Sequence, residues 1–174
     1  MKRRGTALMI ALFGATAPAQ AADLFGGVYQ HDVNIFAKKL HEGGTDLEAG
    51  YRGNALFGLG PLGGPAPYVL ASVNTAGNTS FAAAGLAWKF GGLIYVRPGV
   101  GIAVHDGPSR RIRGNDRTDL GSRVLFEPEF AIGWQVLPRI SVEASLTHLS
   151  HAQIFGKQNP GLDMLGLRVN FHLP

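Results

Sequence analysis

From residue 22 onward, apolar side chains recur at every second position along several stretches of the chain. At the carboxyl end Leu165, Leu167, Val169, Phe171 and Leu173 share one parity, while Gly166, Arg168, Asn170 and His172 share the other. Ile140, Val142, Ala144 and Leu146 alternate with Ser141, Glu143, Ser145 and Thr147. Ile94, Val96, Pro98, Val100, Ile102 and Val104 alternate with a set that includes Arg97 and His105, and Val124, Phe126, Phe130, Ile132, Trp134 and Val136 with one that includes Glu127, Glu129 and Gln135. Period two sends successive side chains to opposite faces, so each stretch is a strand with one apolar and one polar face. These strands run about 10 to 13 residues, against 5 or 6 for an ordinary globular strand. A tilted strand of that length matches the thickness of a bilayer.

Weaker alternation over 24–38, 45–57, 66–75 and 79–90 brings the count to eight. An even number of antiparallel strands closes into a transmembrane β-barrel of the outer-membrane type. The separators fit its asymmetry: Gly91-Gly92 and Leu137-Pro138 predict tight turns on the side of the termini, and 106–121 and 151–162 predict longer outer loops. The run Gly58 to Pro67 is a longer inner turn than that scheme expects. A secreted β-sandwich is the competing fold, since its strands alternate too. Arg97, Glu127, Glu129, Glu143 and Arg168 on the polar parity suit a small lumen filled by paired charges.

The amino end changes how the charge is read. Met1-Lys2-Arg3-Arg4, the apolar run Ala7 to Ala15 and the small-x-small site Ala19-Gln20-Ala21 predict a secretory signal peptide over residues 1–21, with one barrel domain over 22–174. The apolar run falls well short of the roughly 20 residues a spanning helix needs. Three of the 16 Lys and Arg residues lie in that segment, so the remainder holds 13 basic against 12 acidic residues, and the formal +4 shrinks to +1. A nearly neutral exported domain is no nucleic-acid binder. The absence of Cys excludes disulfide scaffolds, thiolate metal sites and cysteine nucleophiles. The six His residues show no metal-ligand spacing, and neither a metal nor another cofactor is expected.

Candidate chemistry lies where the alternation fails. The outward parity of the seventh strand ends in His148 and Ser150, and that of the eighth, extended back one step, reaches Asp163. His148 and Ser150, at i and i+2 with α-carbons about 6.5 to 7 Å apart, point the same way. Asp163 on the neighbouring strand can support the far nitrogen of the imidazole. A serine hydroxyl becomes a nucleophile when a base removes its proton and a carboxylate orients that base, which makes these three the minimum set for acyl transfer. Polar residues at a strand end also occur simply because the membrane interface tolerates them. Glu143 and Asp119 are other candidates for the acid, the first with inward parity and the second in a distant loop.

Thr147-His148-Leu149-Ser150-His151-Ala152, Asn159-Pro160-Gly161-Leu162-Asp163 and Leu167-Arg168-Val169-Asn170-Phe171 together resemble the lipid A 3-O-deacylase (PagL) family. The specific likeness covers about the last 30 residues. It implies an outer-membrane esterase that removes the 3-position acyl chain of lipid A, with lipopolysaccharide in the outer leaflet as substrate. It further implies Ser150 as nucleophile, His148 as general base and then acid, Asp163 as orienting carboxylate, and Asn159 as a loop residue assisting the oxyanion. The better-known members carry Glu as the acid and Asn after the serine, where this chain has Asp163, one residue later, and His151. Arg110, Arg111 and Arg113, with Arg117 and Arg123, crowd the long outer loop, where arginine suits the phosphates of lipid A; a solvated loop of mixed charge is the plainer reading. A homodimer is compatible with the pattern. A barrel with only a structural or adhesion role is the alternative, and it makes His148, Ser150 and Asp163 replaceable without chemical consequence.

Overall fold

The structure is a computed structural model and describes residues 22–37, 42–56, 63–109, 117–152, 154 and 159–174. The expected export signal therefore lies outside the described residues, as do Arg110, Arg111 and Arg113 and part of the run 58–67. Strands are β1 Asp23–Gln30, β2 Thr45–Arg52, β3 Ala66–Asn74, β4 Phe81–Ala87, the short β5 Phe90–Gly91, β6 Ile94–His105, β7 Val124–Leu137, β8 Ile140–Leu149 and β9 Leu162–His172. Every pairing is antiparallel. Both β4 and β5 pair with β6, so together they make one stave, and the wall has eight. The β4–β6 pairing completes the ring that β1–β9 pairing also spans, which leaves no free edge and excludes the sandwich.

Alternation decides which side chain faces which medium. Leu165, Leu167, Val169 and Phe171 point outward and exposed, as do Val100, Ile102, Val104, Ile132 and Trp134. Their neighbours of opposite parity fill the interior: Arg97, Glu127, Glu143 and Arg168 are buried. The ion pairs are Arg97 with Glu143 at 2.8 Å, Arg52 with Asp23 at 3.0 Å, and Arg168 with Glu48 and Glu129 at 2.9 and 2.8 Å, while Glu127 accepts from the Tyr68 hydroxyl. A lumen too narrow for a water column can hold such charges only by matching them. Aromatic rings complete the filling by lying over glycines. A Cβ on Gly133 would stand 2.1 Å from Tyr95, and one on Gly166 would stand 2.6 Å from Tyr29.

The register fixes which end is which. Asp23 pairs with His172, so the start of β1 and the end of β9 lie at one rim, together with the two-residue turn Pro138-Arg139. Exposed Tyr51, Phe90, Trp134 and Phe171 gather near that rim, as an aromatic girdle at a membrane interface does. The opposite rim carries the long connections. There the first stave ends earlier than its alternation predicts, because β1 stops at Gln30 and Asp32 takes a left-handed φ of 50°. Asp tolerates that region better than most residues. Its Oδ2 accepts the Glu42 amide at 3.0 Å, and residues 33–37 turn back along the wall toward β9.

Candidate functional site

His148 and Asp163 face each other across the β8–β9 ladder, one pair before its end at the rim opposite the termini. Nδ1 of His148 lies 2.5 Å from Oδ1 of Asp163. A carboxylate only accepts, so Nδ1 carries the proton and Nε2 presents its lone pair outward. Parity puts both side chains on the lipid face, yet the Asp163 side chain is completely buried while that of His148 is 20% exposed. The cover is the segment 33–37. Three consecutive amides, those of Ile35, Phe36 and Ala37, donate to Oδ2 of Asp163 at 3.1, 2.5 and 2.8 Å, and Val33 N–H donates to the Asp163 carbonyl at 2.9 Å. Successive amides converging on one oxygen form an anion-binding nest. The carboxylate is thus divided, one oxygen for the nest and one for the imidazole.

The imidazole is enclosed from two further sides. Phe36 meets it edge to face, with ring centroids 5.8 Å apart and planes at 80°. Gly161 lies on the other side with φ 74°, and a Cβ there would come 2.7 Å from Cε1 of His148. Glycine is required at this position by the backbone and by the ring.

Ser150 follows β8 and is held by a bridge to β7, with Phe126 N–H donating to its carbonyl at 2.7 Å and its own N–H donating to Phe126 at 3.1 Å. That places Ser150 on the outward parity two residues beyond His148, half-buried. The Ser150 hydroxyl and Nε2 are not hydrogen bonded to each other in this structure; such contacts commonly tighten only with substrate in place. Asn159 accepts the His151 N–H on Oδ1 at 3.1 Å, which leaves its Nδ2 as the donor end. The amides of Ser150, His151 and Ile154 are all engaged within the protein.

The four residues expected from sequence therefore cluster at one rim, and the other acid candidates lie elsewhere. Glu143 is inside the lumen against Arg97, and Asp119 accepts the Gly121 amide. Of the loop arginines, Arg117 pairs with Glu42 and Asp106 at 3.6 Å each, and Arg123 donates to the carbonyls of His105 and Gly107. Sequence reading missed the segment 33–37. Backbone amides leave no mark in a sequence, and Asp163 is 126 to 128 positions away from them.

A second polar cluster lies at the same rim. His31 Nδ1 is 2.8 Å from Asp46 and its Nε2 is 3.1 Å from Glu42. Glu42 also accepts the Thr79 amide and hydroxyl and the Thr118 amide, and Asp46 accepts from Asn74. Burial works against the His31 charge, but the bonds to Asp46 and Glu42 outweigh it and raise the ring to about 9. Burial likewise works against the Glu42 carboxylate, but bonds from His31, Thr79 and Thr118 lower it to about 2.

Among solved structures, the chain is similar to the crystal structure of the outer membrane enzyme PagL, with a TM-score of 0.62, 15% identity, and coverage of 87% of this chain and 99% of that one. It is also similar to the N-terminal β-barrel domain of Pseudomonas aeruginosa OprF, at TM-score 0.54 and 11% identity over 89% of this chain and 99% of the other. Neisserial surface protein A matches at TM-score 0.55 and 8% identity, over 90% of this chain and 100% of the other. At such identities the likeness is one of fold, that of small outer-membrane barrels. No curated protein matches the sequence. The family comparison is more specific, for residues 29–172 match the family described as lipid A 3-O-deacylase (PagL). With that match spanning nearly all of the barrel, the chain belongs to the lipid A 3-O-deacylase family of the bacterial outer membrane.

Proposed function

We propose that the protein is a serine esterase that hydrolyses the 3-O-linked acyl chain of lipid A from the lipid-facing side of its wall. The observation that carries this reading is the His148–Asp163 pair, a fully oriented imidazole on an otherwise apolar exterior, with Ser150 two residues further on the same parity. Lipid A occupies the outer leaflet and its ester bonds lie near the interface, so substrate reaches this rim without leaving the membrane.

Ser150 Oγ attacks the ester carbonyl while Nε2 of His148 takes its proton. Asp163 holds the ring in the required tautomer and stabilises the imidazolium that forms. The tetrahedral oxyanion is met by Nδ2 of Asn159, since the neighbouring amides of Ser150, His151 and Ile154 are already engaged. Collapse expels the lipid A 3-hydroxyl, which recovers the proton from His148, and water then cleaves the acyl-serine to release the fatty acid. Arg110, Arg111 and Arg113 are proposed to meet lipid A phosphates; changing Arg110 and Arg111 together then weakens lipopolysaccharide binding, and unchanged affinity returns them to a solvated loop.

Mass spectrometry of lipid A from cells expressing the protein tests the reading. Loss of one 3-hydroxyacyl chain with the native sequence, and none with Ser150→Ala in a folded barrel, is the expected result. Deacylation by Ser150→Ala removes the nucleophile assignment, and identical spectra with and without the native protein favour the passive barrel.

A further inference from the structure

The segment 31–37 holds Asp163, and what holds the segment is not apolar burial. Ile35 and Phe36 are 46% and 65% exposed, and only Ala37 at its end is buried among its apolar members. Its fixed points are polar. At the tip are the four amides bound to Asp163. At the root, His31 N–H donates to the Gly44 carbonyl at 3.2 Å, and the His31 ring stands between Asp46 and Glu42 with both nitrogens engaged. Those carboxylates are anchored in turn to three other parts of the rim: Asp46 to Asn74 at the end of β3, and Glu42 to Thr79 before β4 and Thr118 before β7. Any displacement of His31 moves the root of the only segment that donates to Oδ2 of Asp163 among the described residues.

We infer that His31, clamped between Asp46 and Glu42, is a positioning residue for the reaction: it sets the amide nest of residues 35–37, and through the nest the orientation of Asp163 and His148. The inference rests on the esterase reading above. His31 touches neither imidazole nor substrate, and with both ring nitrogens bound to carboxylates it cannot serve as a base. Its role is carried by backbone, from the root of the segment to its tip. A cation is needed there, because a neutral ring offers one N–H to two carboxylates and leaves the other facing an unprotonated nitrogen. Among the described residues the charged groups around it are Asp46 on β2, Glu42 before it and Asp32, which accepts the Glu42 amide, with Arg117 and Asp106 beyond Glu42 and His105 at the end of β6.

The test uses the full barrel in detergent micelles with lipid A as substrate, comparing the native protein with His31→Gln and Ser150→Ala. Folding is read from gel mobility without heating. His31→Gln is expected to stay folded and to lose about tenfold or more in kcat with KM within twofold, since substrate contacts are untouched and only the orientation of the base is loosened. A folded His31→Gln with native kcat overturns the inference while Ser150→Ala, still inactive, leaves the esterase reading standing. An active Ser150→Ala removes that reading instead. Should His31→Gln not fold, the native protein decides: protection of the Ile35, Phe36 and Ala37 amides, taken relative to their intrinsic hydroxide-catalysed exchange rates, should fall as pH rises through about 9, together with a falling kcat. Amide protection and kcat that both stay level to pH 10 overturn the inference.

Discussion

Asp163→Asn separates orientation from folding more cleanly than removal of the side chain. Asparagine keeps the size of the group but has one acceptor oxygen and one NH2 donor. Three amides converge on Oδ2 of Asp163, and one imidazole N–H faces Oδ1. The oxygen of Asn must turn to the three amides, because the opposite choice sets an NH2 against three N–H donors. The NH2 then faces Nδ1 of His148 and donates to it, which forces the proton onto Nε2. That tautomer cannot accept a proton from Ser150. Restoring the working tautomer means giving up three hydrogen bonds at a net of about 1 kcal/mol each, with donor–donor repulsion added, or about 3–5 kcal/mol in all. At about 1.4 kcal/mol per decade this is a loss of roughly 10²–10⁴ in kcat, in line with the ~10⁴ lost when the aspartate of a serine-protease triad becomes Asn. The assay is release of 3-hydroxy fatty acid from lipid A by the purified barrel, counted by mass spectrometry, with folding checked by unheated gel mobility. A folded Asp163→Asn within tenfold of the native rate refutes the reasoning.

Gly161→Ala places a methyl 2.7 Å from Cε1 of His148 at a φ of 74°; we expect kcat to fall by tenfold or more in a barrel that still assembles, and an unchanged rate would show that the ring has room to move. Arg168→Met leaves Glu48 and Glu129 buried without their cation, which should destabilise the barrel by about 3–5 kcal/mol, measurable as a lowered urea midpoint. The His31 clamp carries a pH window of its own. His31 is raised in the folded protein from 6.5 to about 9, so its contribution to rim stability is complete below about 6.5 and disappears as pH rises through about 9. Glu42 is lowered from 4.5 to about 2, so its contribution is complete above about 4.5 and disappears as pH falls through about 2. Limited proteolysis of the rim should be slowest between roughly pH 4.5 and 6.5; cleavage that quickens inside that window would contradict the assignment.

The wall was legible because alternation is a local property: a membrane strand must present every second side chain to lipid, and the parities of 94–104, 124–136, 140–146 and 165–171 all hold in the structure. The break in that alternation also located His148 and Asp163, since a polar residue on the lipid face stands out against its own neighbours. Two features escaped. Residues 31–37 read as part of one weakly alternating stretch, 24–38, but Val33 and Ile35 fall on the lumen parity of β1, Asp32 turns the chain, and the tie from its side chain to Glu42 fixes the turn. The clamp around His31 joins residues 31, 42, 79 and 118 from three connections with Asp46 at the start of β2, and only the closed ring brings such separate positions together.

The pairing of β1 with β9 gives the site a history as well as a geometry. Asp163 belongs to the last strand of the chain, and the amides that receive it follow the first. Until those two strands meet, the carboxylate has no nest and the imidazole no fixed tautomer. On the esterase reading proposed above, a chain whose first and last strands have not yet met lacks an oriented base and is silent toward the lipids it passes.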